Sequence, residues 1–320
     1  MVGMLEIERR RFGHDGLTIP RVALGCGNFG GVGSSPAWFG HGLTEDQARE
    51  LMDAAWALGI THFDTADAYG GGRSEQMIGN WMRSRGHRPT LTTKTYNPMS
   101  DGGDRGLAPE RITRQLTSSL DRLGVESVEL YLAHDFDSEV PLADTFGEFE
   151  SQAAAGRFRA YGVSNFGAGQ LEQAFTVGSP RAVQNAHSLL ERGDERDVLP
   201  LAAEHQLAYL AFSPLSGGWL TGKYRRGERY PEGSRMTQRP EPYAPLVDDA
   251  TFAALEALEA FAGERAMSMA GVALAWLLAD DRVTQLVLGP GRPEHLDPLR
   301  EALAHPLGDA ERAQLGSMFG

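Results

Sequence analysis

The fold turns on one stretch, Thr44-Glu-Asp-Gln-Ala-Arg-Glu-Leu-Met-Asp-Ala-Ala-Trp-Ala-Leu58-Gly59-Ile60-Thr-His-Phe-Asp-Thr65, which continues as Ala66-Asp-Ala-Tyr-Gly70. Its first part carries apolar residues at helical spacing. Thr44 is a natural cap, Gln47 stands three residues on as a capping-box partner, and Gly59 follows where a left-handed closing residue is wanted. Its second part, residues 60–65, is a short buried run that reads as a parallel strand. Polar residues then crowd its carboxyl end.

The same unit recurs along the chain. Further strands are expected at residues 21–25, 90–94, 129–134, 159–163, 182–185, 208–212 and 284–289. Amphipathic stretches at 44–58, 74–82, 109–123 and 270–278 lie between them, with Gly86 and Gly124 closing two of these as Gly59 closes the first. Eight strands with intervening helices predict an α/β fold, a (β/α)8 TIM barrel, over the single domain 1–320. The alternative is a doubly wound open sheet, supported by Gly27-Asn-Phe-Gly-Gly-Val-Gly33 after the first strand. That loop does not fit a dinucleotide fingerprint well, because Pro36, Trp38, Phe39 and Gly42 intervene before a helix that should begin at once. Residues 223–247 contain Pro231, Pro240, Pro242 and Pro245 and read as a long loop after strand seven. Residues 304–320 read as a C-terminal tail.

Composition bounds the function. The 320 residues hold 30 basic and 43 acidic side chains, a net charge of −13, and no basic cluster offsets it, so nucleic acid is not the expected partner. Cys26 is the single cysteine, which leaves no disulfide framework and no thiolate metal cage; its place after the first strand suggests burial. The opening Met1–Arg11 has no apolar signal core, and the most apolar run, residues 269–279, is far short of the roughly 20 residues a bilayer requires. The expected location is cytoplasmic, with no membrane partner.

In a barrel, chemistry gathers at the carboxyl ends of the strands. Four side chains fall there: Asp64 and Tyr69 after strand two, Lys94 at the end of strand three and His134 at the end of strand four. Asp64 can hold Lys94 protonated and aimed at Tyr69, whose phenol the ammonium is expected to lower, and His134 can donate to a substrate oxygen. A salt bridge, a core phenol and a hydrogen-bonded histidine are the structural alternatives. No histidine close to His134-Asp135 completes a zinc set, so no metal is expected.

These residues, in order with Phe63-Asp-Thr-Ala-Asp-Ala-Tyr-Gly70, Tyr161-Gly-Val-Ser-Asn-Phe166, Val183-Gln-Asn-Ala-His-Ser-Leu-Leu190, Phe212-Ser-Pro-Leu-Ser-Gly217 and Leu220-Thr-Gly-Lys-Tyr224, resemble the aldo-keto reductase superfamily over nearly all of residues 5–303. The style of the motifs is nearest to bacterial reductases related to potassium-channel beta subunits. The resemblance implies reduction of an aldehyde or ketone by NADPH, with NADH possible, on a (β/α)8 barrel. It makes Asp64, Tyr69, Lys94 and His134 a catalytic tetrad in which Tyr69 is the general acid. A cofactor-sensing binding or regulatory protein on the same barrel is the alternative.

The resemblance also implies a cofactor site. Ser164, Asn165 and Gln184 would take the nicotinamide carboxamide, and Phe212 stands where many members have a stacking tyrosine. Ser213, Pro214, Leu215, Gly217 and Lys223 would line the pyrophosphate path. Gly289, Gly291, Arg292 and His295 would receive the adenosine end, with Arg292 placed to bind a 2′-phosphate. This last segment departs from the family pattern at Gly291 and Pro298-Leu299. Trp38, Phe39, Tyr96, Phe136 and Trp219 sit just beyond strand ends and suggest an aromatic pocket for a small carbonyl substrate, beside the polar loop from Asn97 to Arg105. Physiological substrate and oligomeric state are open.

Overall fold

In the computed structural model, residues 6–12 and 17–320 are described; the first five residues of the opening segment lie outside them. Strands β1 (Arg9–Phe12) and β2 (Leu17–Pro20) form an antiparallel hairpin. Among the described residues, eight further strands close into a parallel barrel: β3 (Val22–Gly25), β4 (His62–Asp64), β5 (Thr90–Thr95), β6 (Val128–Ala133), β7 (Phe158–Ser164), β8 (Ala182–Ala186), β9 (Ala208–Phe212) and β10 (Val283–Leu288). They pair in chain order, and β10 returns to β3 with Leu286 opposite Val22. Closure excludes the doubly wound sheet.

The hairpin was not expected from the sequence, which shows no strand signal before residue 21. It forms because its side chains alternate: Thr18 is exposed and bonded to Arg9, whereas Leu17 and Ile19 point into the barrel. There they cap a narrow interior core built from Ala23, Leu130, Leu132, Ala160, Ala182, Ala208, Leu210 and Val287. Half of these eight are alanines, which interleave with the larger side chains where eight strands converge on one axis.

A polar layer also fills the interior. His62 on β4 donates from Nε2 to Thr92 Oγ1 at 2.8 Å and accepts at Nδ1 from Gln285, whose amide also reaches the Pro20 carbonyl. Burial, then Arg9 and Lys94, push the His62 imidazole down to about 3, so the ring is neutral. Two residues further along the same faces of β4 and β5 stand Asp64 and Lys94. Strand alternation therefore aims both into the barrel.

The outer layer packs helices on the strands. The helix Glu45–Leu58 starts with the expected capping box, Gln47 N to Thr44 Oγ1 and Thr44 N to Gln47 Oε1, and ends at Gly59 with φ 97°. Pro109–Leu123 is a helix over the expected bounds, and Arg73–Arg85 runs beyond both ends of the stretch read from sequence. Met269–Leu278 is buried on every side except at Leu278, covered by Asp249–Glu264 and Asp297–Ala304. No described helix is long and apolar enough to cross a membrane.

Two segments taken as loop and tail carry structure. Within residues 223–247 lie a helix, Arg235–Gln238, and a 3-10 turn, Glu241–Leu246. Pro242 falls in the first turn of the latter, where its missing N–H costs nothing. Within residues 304–320 lies the helix Asp309–Met318, held by buried Leu315 and by the bond from Trp276 Nε1 to the Arg312 carbonyl.

Candidate active site

The glycine loop after β3 explains where Tyr69 sits. Residues 27–33 open no helix; they fold as a compact turn pressed against the turn Tyr69–Gly72. A Cβ on Gly70 (φ 59°) would come 2.7 Å from the Phe29 carbonyl oxygen, and one on Gly31 would come 2.7 Å from the Gly70 Cα. The glycines let two backbones touch, which fixes the tyrosine turn on the barrel rim. Gly27 lies against the Tyr69 ring, where an added Cβ would sit at 3.6 Å, an ordinary packing distance.

From below, the β4–β5 ladder is extended by Thr65 N to Thr92 O and by Asp67 N to Lys94 O. Lys94, fully buried, is thereby placed under the turn and donates to Asp64 Oδ1 at 2.5 Å, to the Thr65 carbonyl at 2.9 Å and to Tyr69 Oη at 3.5 Å. Burial pulls the ammonium down, but Asp64 and Tyr69 together lift it above its usual value, so it stays charged. The Tyr69 phenol moves the opposite way from expectation. Burial raises it above 10, and Lys94 draws it only part of the way back. In a site this dry, the cost of desolvating a phenolate exceeds the attraction of one ammonium that Asp64 already neutralises.

His134 completes the group. Its backbone N–H bonds the Thr95 carbonyl, and its ring meets Tyr69 edge-on, with centroids 5.4 Å apart and planes at 79°. Burial, then the Lys94 charge, hold the imidazole well below its usual value. It is a neutral ring with one N–H to donate, and Nδ1 has no partner among the described residues. The four expected residues are therefore in one place: a charged lysine beneath, bonded to Asp64, a protonated phenol above it and a neutral imidazole beside the phenol. Such a set can bind a carbonyl oxygen between two donors and pass it a proton.

The expected cofactor residues surround this centre. Ser164, the last residue of β7, is the register partner of Gln184 in the middle of β8. Asn165, at φ 61°, donates to the His134 carbonyl at 2.9 Å, so it braces the histidine. Gln184 is turned inward and donates to Asp64 Oδ2 at 2.8 Å, a link sequence reasoning missed. Beyond Phe212, the backbone takes positive φ at Ser213 (56°), Ser216 (45°), Gly217 (63°) and Gly218 (95°). Non-glycine residues adopt that region at a cost, and successive turns of this kind point amides at an anion. Pro214 is buried and Leu215 partly buried within the same turn. The Lys223 ammonium lies across a gap that a Cβ on Gly218 would fill, and a Cβ on Gly217 would strike Tyr243.

Across the mouth, Gly291 N donates to His295 Nδ1 at 3.2 Å, and Asn28 Nδ2 bonds the Pro290 carbonyl at 2.8 Å beside exposed Gly289. Burial, then Arg292 and Lys223, press the His295 imidazole down, against the opposing pull of Glu294. Arg292 is exposed on the rim, 3.6 Å from Glu294. The segment after β9 reaches the opposite wall, where Arg239 Nη1 would be 3.5 Å from a Cβ on Gly33.

The aromatic residues expected to line a pocket are not all in one place. Trp38 and Phe39, the latter against Gly71, and Tyr96 and Phe136 are partly exposed on loops around the Tyr69 turn. Trp219 is not with them. It is fully buried against Tyr224, Tyr230 and Phe252 and offers no face to a substrate, because the turn that carries it folds under the helix Asp249–Glu264. The loop from Asn97 to Arg105 is pinned by buried Arg111, which donates to the carbonyls of Gly106, Asn97 and Asp104. Cys26 is fully buried, as its position suggested.

With this geometry in hand, the comparisons with known proteins are consistent. The family model described as "Aldo/keto reductase family" matches residues 21–318. The chain is 35% identical to an uncharacterized oxidoreductase, YrpG, of Bacillus subtilis over 98% of this chain and 96% of the relative. It is 29% identical to an L-glyceraldehyde 3-phosphate reductase of Escherichia coli K12 over 93% and 88% of the two chains. Among solved structures it is similar to the glycerol dehydrogenase AKR11B4 of Gluconobacter oxydans, with a TM-score of 0.82 and 27% identity over 98% of this chain and 95% of that one.

Proposed function

The chain belongs to the aldo/keto reductase family, and from that premise we propose that Tyr69, Lys94, Asp64 and His134 carry out its NADPH-dependent reduction of a small aldehyde or ketone. One observation carries the assignment of residues: Lys94 is bonded at once to Asp64 and to the Tyr69 oxygen, with neutral His134 against the same ring.

The cofactor fits the residues present. The positive-φ turn Ser213–Gly218, Lys223, Arg292 and His295 would hold the phosphate groups, and Ser164, Asn165 and Gln184, the last two bonded to His134 and Asp64, would take the nicotinamide. Arg292 and Lys223 favour the phosphorylated dinucleotide. Bound there, NADPH supplies a hydride to the carbonyl carbon. The Tyr69 hydroxyl and the His134 N–H bind the carbonyl oxygen and stabilise the charge that develops on it. Tyr69 then gives that oxygen its proton, and the adjacent Lys94 ammonium stabilises the phenolate left behind. Asp64 keeps Lys94 charged and aimed. Trp38, Phe39, Tyr96 and Phe136 wall the mouth and exclude water, while the segment 223–247, crossing from Lys223 to Gly33, retains the cofactor. Because its lone thiol is buried and unpaired, the chain suits a reducing compartment such as the cytoplasm.

The test is Tyr69→Phe. Turnover of an aldehyde should fall at least about 10²-fold, while tryptophan quenching shows NADPH bound nearly as well as by the wild type. Unchanged turnover refutes Tyr69 as the acid.

A further inference from the structure

We propose that Gln184 is a positioning residue that couples occupancy of the nicotinamide site to the proton donor, acting through Asp64. This rests on the reading that the nicotinamide lies against Ser164, Asn165 and Gln184.

The Asp64 carboxylate has two oxygens and two partners. Oδ1 takes the Lys94 ammonium and Oδ2 takes the Gln184 amide. Both partners are buried, so neither competes with water for the carboxylate. Lys94 in turn divides three N–H donors among Asp64, the Thr65 carbonyl and Tyr69, and the bond to Tyr69, at 3.5 Å, is the longest of the three. How far Lys94 leans toward the phenol therefore depends on how strongly Asp64 holds it. That strength depends on what Gln184 gives to Oδ2.

An amide transmits polarity from one end to the other. Gln184 Nε2 is committed to Asp64, whereas its carbonyl Oε1 has no hydrogen bond among the described residues. A carboxamide N–H donated to Oε1 makes Nε2–H a better donor, by the cooperative strengthening of linked hydrogen bonds. Asp64 then asks less of Lys94, the ammonium shifts its bonding toward Tyr69, and the phenol becomes more acidic. The charged and titratable groups around Tyr69 are Lys94 from β5, Asp64 from β4, Cys26 from the loop after β3 and His134 after β6. Only the first two belong to the relay. Cys26 stays protonated under its burial and His134 stays neutral, so neither masks it.

The experiment follows the Tyr69 13Cζ resonance in tyrosine-labelled protein, assigned by its loss in Tyr69→Phe, from pH 7 to 12, with and without saturating NADPH. NADPH is the right probe because its dihydronicotinamide ring is uncharged and cannot acidify the phenol directly. In the wild type the midpoint should fall by about half a unit or more when NADPH binds, as expected for a redirected charge-assisted bond. In Gln184→Leu the apo midpoint should rise and the NADPH response should vanish, and Gln184→Asn, which keeps the amide but is one methylene short, should behave the same way. Tryptophan quenching under the same conditions separates the two levels of inference. No NADPH binding to the folded wild type sinks the proposed cofactor site; binding with an unchanged Tyr69 resonance, or an intact response in the folded variants, overturns the relay.

Discussion

Asp67, three residues after Asp64, gives the sharpest test of how this barrel handles buried charge. It is fully buried, and Oδ2 accepts from Thr95 Oγ1 at 2.7 Å while Oδ1 has no partner. Arg111 reaches the same Thr95 oxygen at 2.8 Å, and the Tyr131 hydroxyl is buried nearby. Burial above all, with help from Glu75, pushes the carboxyl from 3.8 up to about 7, against the pull of Thr95, Arg111 and Arg122. A raised acid is bound to its proton more tightly in the folded chain. The contribution of Asp67 to stability is therefore greatest below 3.8, falls as pH rises toward 7 and levels off above it. The loss across that window is about 4 kcal/mol, at 1.36 kcal/mol per unit. Asp67→Asn keeps an acceptor for Thr95 and never ionises, so it should lack this slope. In urea denaturation followed by circular dichroism, the variant should match the wild type within about 1 kcal/mol at pH 4.5 and exceed it by about 3 kcal/mol at pH 8. The backbone bond from Asp67 N to Lys94 O is untouched, so the tyrosine turn should stay in place. A difference between the two proteins that is the same at both pH values would refute the reasoning.

Two other outcomes follow from the same site. Lys94→Met leaves Asp64 buried without its cation and should cost about 3–5 kcal/mol, much of which the double variant with Asp64→Asn should recover; a double variant no more stable than the single one would mean that the ion pair is not what Lys94 contributes. Arg292→Ala should weaken NADPH binding much more than NADH binding in a fluorescence titration, and equal losses would remove Arg292 from the 2′-phosphate.

The barrel and its four central residues were legible in the sequence because both are local properties. Near-continuous apolar runs, a capping box at Thr44 and glycines at 59, 86 and 124 fix where strands and helices begin and end, and a strand end is where a barrel exposes polar side chains. That is enough to put Asp64, Tyr69, Lys94 and His134 on one rim. Tertiary structure decided whatever depends on a partner distant in the chain. Gln184 stands 120 positions from Asp64, and no spacing rule announces that its amide turns inward to that carboxylate. Trp219 looks like a pocket residue until the helix that buries it is in place. The Tyr69 phenol lies above its usual value, not below it, because desolvation is set by everything packed around the ring, whereas sequence shows only which charges are near. The hairpin β1–β2 escaped notice for the same reason: four-residue strands carry little periodic signal, and Leu17 and Ile19 become core only when a closed barrel offers them an end to fill.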